Sequence, residues 1–268
     1  MVPSPFFRAL ALCILAGGAQ AHEFWIEPEA YVVPEGGTVT GTFRNGEEFS
    51  GSTLSYLPGR SERFDAISGE TVAEVPARMG DNPALSLEGA APGLLIVVHE
   101  TADRTLTYRE WAKWERFVAH KAFDGVLAAH RARGLPEEGF RESYRRYAKA
   151  LIAVGDGAGA DRAVGLKTEI VAQANPYTDD LSDGLPVQVL LDGAPKAGAQ
   201  VEMFEKGPEG VEVTLHVADA AGRVVLPVRA GFEYLLDSVA IEPLDPATQG
   251  DPVWKTHWAA LTFAVPGA

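Results

Sequence analysis

Short apolar alternations, broken every few residues by glycine and proline, set the strongest limit on what this chain can fold into. Val39, Gly41 and Phe43 alternate with Thr38, Thr40 and Thr42, the period of a strand with one covered face. Tyr31-Val32-Val33 precedes a Pro34-Glu35-Gly36-Gly37 turn, and Asn45-Gly46 is a strong hairpin signal. Leu94 to Val98 forms an unbroken apolar run after Pro92-Gly93, as a central strand buried on both faces would. The same grammar returns after residue 164. Val187, Val189 and Leu191 alternate before an Asp192-Gly193 turn, and Ala199, Val201 and Met203 alternate beyond it. Asp219 to Gly222 turns the chain again before Val224, Leu226 and Val228. Leu235 to Ile241 and Trp258 to Val265 supply the last strands. This patterning predicts a mostly β protein built from sandwiches.

The middle of the chain changes period. From Tyr108 to about Arg133, the residues Trp111, Trp114, Phe117, Val118 and Phe123 recur at helical spacing. Thr107 with Glu110 fits a capping box, and Gly134 predicts the stop. Pro136 opens a second predicted helix. It carries Phe140, Tyr144, Tyr147, Leu151 and Ile152 on one side, and Arg141, Arg145, Arg146 and Lys149 on a solvated other side. The predicted organisation is a leader over 1–21, an N-terminal β-sandwich over 22–106, a helical pair over 107–154 and a C-terminal β-sandwich over 155–268. Gly155 to Asp161 and the Asp179, Asp180, Asp183 cluster read as a connector and a turn, since neither offers the regular oxygen ligands of a calcium loop.

The leader is predicted from Arg8, the apolar run that starts at Ala9, and the small-residue exit Ala19-Gln20-Ala21. That run is too short to span a bilayer, and no later run approaches the length of a span. The one cysteine, Cys13, falls inside the leader, so the mature chain has neither disulfides nor thiolate metal sites. A soluble, periplasmic product is expected. The formal charge of −14 becomes about −15 once Arg8 is removed, a field that repels nucleic acid. No Ser-His-Asp order, H-E-x-x-H helix, phosphate loop or dinucleotide fingerprint is present, so no enzymatic activity is expected.

Cleavage after Ala21 would make His22 the first residue. Its amine and imidazole Nδ1 can close a chelate ring on one metal ion. His99 closes the apolar run at Leu94–Val98, and His120 lies on the first predicted helix. His22, His99 and His120 are the predicted metal ligands, with Glu23 and Glu27 orienting an imidazole from behind. His130, His216 and His257 are expected to be hydrogen-bonded structural residues. An imidazole-plus-amine site suits nickel, cobalt or copper, and binding should weaken below about pH 6 as both groups protonate.

Two resemblances extend this reading. The Gly-x-Pro-x-x-Gly-Ala-x-Val run from Gly193 to Val201 resembles the prealbumin-like or Cna-B-like sandwich. The full expectation is therefore two Ig-like or prealbumin-like β-sandwich units joined by a two-helix insertion. His22 to Pro28, Asn45 to Gly51, Gly80-Asp81 with Pro83-Ala84, and Tyr147 to Leu151 form a wider pattern. Asn175-Pro176-Tyr177 and Trp258 to Phe263 complete it. Together they resemble the bacterial periplasmic family of nickel or cobalt uptake components, the NikM/CbiK-like group of unknown-function domains. That resemblance implies a transition-metal binding protein accessory to uptake. Its ligand would be a metal ion or small metal complex, and its partner an inner- or outer-membrane transporter. Two other functions fit the same residues: a non-catalytic envelope interaction module, and a copper oxidase using the N-terminal histidine.

Overall fold

A ten-stranded sheet runs through the middle of the protein in the computed structural model, which describes residues 22–267. The predicted leader lies outside those residues. In chain order the first strands are β1 (Glu23–Pro28), β2 (Val32–Val33), β3 (Val39–Glu47), β4 (Ser50–Leu54), β5 (Ser61–Ser68) and β6 (Thr71–Glu74). Next come β7 (Leu85–Leu87), β8 (Gly93–Thr101) and β9 (Arg104–Tyr108). Helices α1 (Trp111–His120) and α2 (Val126–Ala132) follow, then β10 (Phe140–Val154). The remainder is β11 (Thr168–Ala172), β12 (Leu185–Leu191), β13 (Ala194–Pro195), β14 (Gln200–Gly207) and β15 (Gly210–Val217). It ends with β16 (Arg223–Leu226), β17 (Phe232–Pro243) and β18 (Pro252–Val265).

The central sheet has the order β15-β14-β17-β18-β10-β8-β5-β6, with β2 and β9 also pairing β10. A front sheet, β1-β3-β4 with β7 on β3, covers one face. A back sheet, β11-β12-β13 with β16 on β12, covers the other. The alternation of side chains along a strand makes this possible. Leu95 and Val97 of β8, with Ala148, Ala150 and Ile152 of β10, face the front core around Phe24, Ile26 and Phe43. Leu94, Ile96 and Val98, with Tyr147 and Leu151, face the back core around Ile170, Val187 and Leu226. The fold is therefore a β-sandwich protein, and strands from both predicted sandwich segments share the central sheet. The helices pack beside the front sheet. Trp114, Phe117 and Val126 meet Phe140, Val239, Trp254 and Trp258 there.

Three local expectations are corrected. The second helix, predicted from Pro136 onward, is strand β10. Its apolar residues fall at helical spacing because a strand buried on both faces has no polar alternation to display. Of the supposed solvated face, Arg141, Arg145 and Arg146 are half-buried and Lys149 is interior: it is 1% exposed and pairs with Asp161 at 2.8 Å and Glu169 at 3.1 Å. The first helix is two helices, broken by left-handed residues at Ala122 (φ 52°) and Gly125 (φ 77°). Thr107 belongs to β9 and the Glu110 side chain pairs with Lys113 instead of capping the helix, so no capping box forms. Asn45-Gly46 lies within β3, opposite Ser52 and Gly51. The hairpin turns instead at Glu48-Phe49, both at positive φ as a two-residue primed turn needs. Phe49 repays that conformation by burying its ring against Trp25, 5.6 Å between centroids.

Candidate functional site

Strand β1 organises two neighbouring sites because its side chains alternate. On one side, Phe24 packs against Phe43 and His99 at ring separations of 5.5 and 5.4 Å. On the other, Glu23 points toward Lys121, at 3.6 Å. The strand is anchored to the central sheet by Thr262 Oγ1, which donates to the Ile26 carbonyl at 2.8 Å.

The Phe24 side borders a cavity of about 310 Å³ between the front sheet and strands β5, β8, β9 and β10. Phe24, Phe43 and His99 form its apolar wall, and Arg60, Arg104 and Arg146 bring three guanidinium groups to it. A smaller space of about 200 Å³ continues toward the helices and is lined by His22, Glu142 and Trp258 among others. Asn45, Tyr144 and Arg146 line both, so the two form one cleft. Arg146 is held at the junction. Its guanidinium carbon lies 4.8 Å from the centre of the Tyr144 ring, and its Nη2 donates to the His22 carbonyl at 2.8 Å.

The Glu23 side is a buried charge cluster. The Lys121 ammonium, at the end of α1, donates to Glu202 of β14 at 2.7 Å and to Asp237 of β17 at 3.0 Å. It also lies 4.8 Å from the Trp258 ring centre. Burial pushes the Glu23 carboxyl up to about 7 and the Asp237 carboxyl up to about 6. For Glu202, burial is outweighed by the His120 hydrogen bond and the Lys121 charge, and the carboxyl is held below its ordinary range. His120 in turn is raised by Glu202, 2.8 Å from its Nε2.

The predicted ligands are thus distributed. His22 is exposed at the cleft, with Nε2 3.9 Å from Glu47. His99 is buried in the cavity wall, where Ser61 Oγ meets its Nε2 at 2.9 Å. Burial drives its imidazole down to about 3, so it stays neutral. His120 serves Glu202 on the far side of β1. Glu23 belongs to the Lys121 cluster, and Glu27 pairs with Arg44 rather than orienting a histidine. Among the described residues, the set close enough to share one ion is Glu23, Glu202 and Asp237, with ligand atoms within 4.8 Å of one another. An ammonium already sits against all three. Hence His22, His99 and His120 do not converge on a single metal ion. Of the other histidines, His130 bridges the Pro136 carbonyl and Trp254, His216 meets Thr214, and His257 lies between Tyr147 and Glu242.

The residues that sequence reasoning missed were Lys121, Glu202, Asp237 and Arg146. For Glu202, Asp237 and Arg146 the signal was present as charges standing in the apolar alternations of β14, β17 and β10, whereas Lys121, at the end of α1, carried none. A charge at such a position is buried only if partnered, and the partners come from distant segments.

These features belong to a β-sandwich protein with an arginine-lined cleft under its first strand. The chain is a member of the family described as a domain of unknown function, DUF4198, whose profile matches residues 19–242. No curated protein matches it. Among solved structures, it is similar to a tetra-tandem repeat in the extending region of a large adhesion protein. There the identity is 11% and the TM-score 0.20, over 91% of this chain and 49% of that one. It is also similar to a mutant of Salmonella alpha-2-macroglobulin, at 12% identity and a TM-score of 0.23, over 96% of this chain and 16% of that one. The chain spans less than half of either. At that similarity neither carries an argument. No helix of the described residues is long and apolar enough to cross a membrane.

Proposed function

We propose that the mature protein is a periplasmic, non-catalytic binding protein for a transition-metal ion, nickel, cobalt or copper, accessory to its uptake through a membrane transporter. The observation that carries this reading is the place of His22. It stands at the cleft, with a carboxylate at 3.9 Å from Nε2 and Asn45 nearby in the same wall. A carboxylate on the Nε2 side would leave Nδ1 to chelate together with the freed amine. The surrounding acidic field raises the local concentration of cations.

The test is calorimetry with Ni²⁺, Co²⁺ and Cu²⁺ on protein beginning at His22. One-site binding is expected, weakened at least about tenfold by a single residue added before His22, which removes the amine. Glu47→Gln should weaken it less, in keeping with an outer role. Equal affinity with and without the added residue removes the amine from the site. Absence of binding by all three ions overturns the proposal.

One observation favours a second reading, an interaction module. Edge strand β15 exposes Val211, Val213, Leu215 and Val217 in alternation, and Leu215 and Val217 are 57% and 68% exposed. Apolar edge strands invite pairing with another chain. If no metal binds and pull-downs lose a partner on Leu215→Lys, this reading replaces the first.

A further inference from the structure

We propose that the cavity beneath β1 binds a small organic carboxylate with a planar apolar body, its charge taken by Arg146, Arg60 and Arg104 and its body lying on Phe24, Phe43 and His99. The proposal goes beyond metal binding and does not need it, because no side chain it uses belongs to the proposed metal site at His22.

The first argument is charge. The chain has 37 acidic and 23 basic residues, yet among the described residues no acidic side chain lines the larger part of the cleft, and Glu142 lines only the smaller part, where it is hydrogen-bonded by Tyr108 and Thr256. None of its three arginines has a carboxylate within 4.0 Å among the described residues. Glu23, Asp237 and Glu142 act on Arg146 only at longer range, so an anionic ligand in the cavity would be the first direct partner of these cations.

The second argument is the state of Arg146. Its Nε is fully buried and has no hydrogen-bond partner among the described residues. Leaving such a donor unmade is costly, and burial also lowers the proton affinity of this guanidinium. The Tyr144 ring and the His22 carbonyl hold the group in place without neutralising it. Nε is enclosed and Nη2 is engaged by the His22 carbonyl, so a carboxylate in the cavity would meet Arg146 as a positioned charge rather than through a free two-pronged edge. Arg60 and Arg104 are exposed and stand where they would steer an anion inward.

The third argument is the opposite wall. Phe43 and His99 pack with tilted rings at 4.2 Å between centroids, and Phe64 closes edge-on on the same imidazole at 5.4 Å. His99 is neutral, so it acts as a third aromatic surface and not as another charge. A volume of about 310 Å³ suits a compact molecule of one ring. An apolar wall facing fixed cations selects amphiphilic anions over inorganic ones.

The experiment uses chelator-treated mature protein and calorimetry with four probes: phenylacetate, its neutral analogue phenylacetamide, acetate and inorganic phosphate. Phenylacetate is expected to bind at least about tenfold more tightly than each of the other three. Arg104→Gln and Arg60→Gln, at exposed positions that leave the fold intact, should each weaken it several-fold and reduce its salt dependence. Arg146→Gln should abolish it, with circular dichroism confirming the fold. Phe43→Leu should weaken phenylacetate and leave acetate unchanged. The proposal is overturned if phenylacetamide binds as well as phenylacetate, if phosphate binds more tightly, or if nothing binds at about 10 mM probe. Because metal is absent throughout, failure here leaves the His22 proposal standing, and the reverse.

Discussion

A single imidazole, that of His99, shows how much chemistry one buried residue carries. It lies among Phe24, Phe43 and Phe64, and burial drives its folded-state value down to about 3. The unfolded chain therefore takes up a proton near pH 6.5 while the folded chain does not. Stability contributed by the neutral ring is complete above that value and is lost as pH falls from 6.5 toward 3. Glu23 and Glu142 work in the other sense, since burial raises both to about 7. Their contribution is complete below the ordinary carboxylate range and is lost as pH rises through about 7. We expect His99→Leu to flatten the acid limb of the stability profile. Relative to the variant, the natural chain should lose up to about 1.4 kcal/mol per pH unit below 6.5. Urea midpoints at pH 7, 5 and 4 measure this. Parallel profiles would mean that the ring is protonated in the folded state. None of this was legible in the sequence, where the place of His99 after an apolar run predicted a metal ligand; its neighbours arrive from β1, β3 and β5.

Elements are positioned here by a few buried charges. The end of α1 is pinned to β14 and β17 through Lys121, which is 6% exposed. Removing one partner of a buried ionic cluster strands the rest. Lys121→Met is expected to cost about 3–5 kcal/mol in urea unfolding. Raising the acidity of the buffer should recover part of that loss, because protonation neutralises the stranded carboxylates. A loss below about 1 kcal/mol would show that the cluster is solvated and weak. Strand β10 repeats the theme on its other face, with Lys149 between Asp161 and Glu169. Its Tyr144, Tyr147 and Leu151 spacing was helical by coincidence, and local propensity has little authority over a strand with β18 on one side and β8 and β9 on the other.

At the scale of the molecule, the central sheet is the shared wall of two cores. Strands β5, β8 and β10 come from the first part of the chain, and β14, β17 and β18 from the last. Strand β10 pairs β18 in parallel from Arg141 to Ala150, which closes the two parts into one sheet. Calorimetry is expected to show a single transition, with calorimetric and van't Hoff enthalpies equal. Two resolved transitions would mean that the front and back cores melt separately. Lowering pH or adding salt should shift that transition without splitting it.

Strand alternation, glycine turns and the apolar run of β8 were readable from composition and order alone, because period 2 and positive-φ turns are local properties. So was a place for His22 at the start of β1, once a leader was inferred. The direction of β10, the turn at Glu48-Phe49 and the division of predicted ligands between two sides of β1 were settled only in three dimensions. The reason is physical. Burial, pairing and desolvation depend on residues more than a hundred positions apart, such as Lys121 with Asp237 or Arg146 with His22, and no local pattern encodes who those partners are.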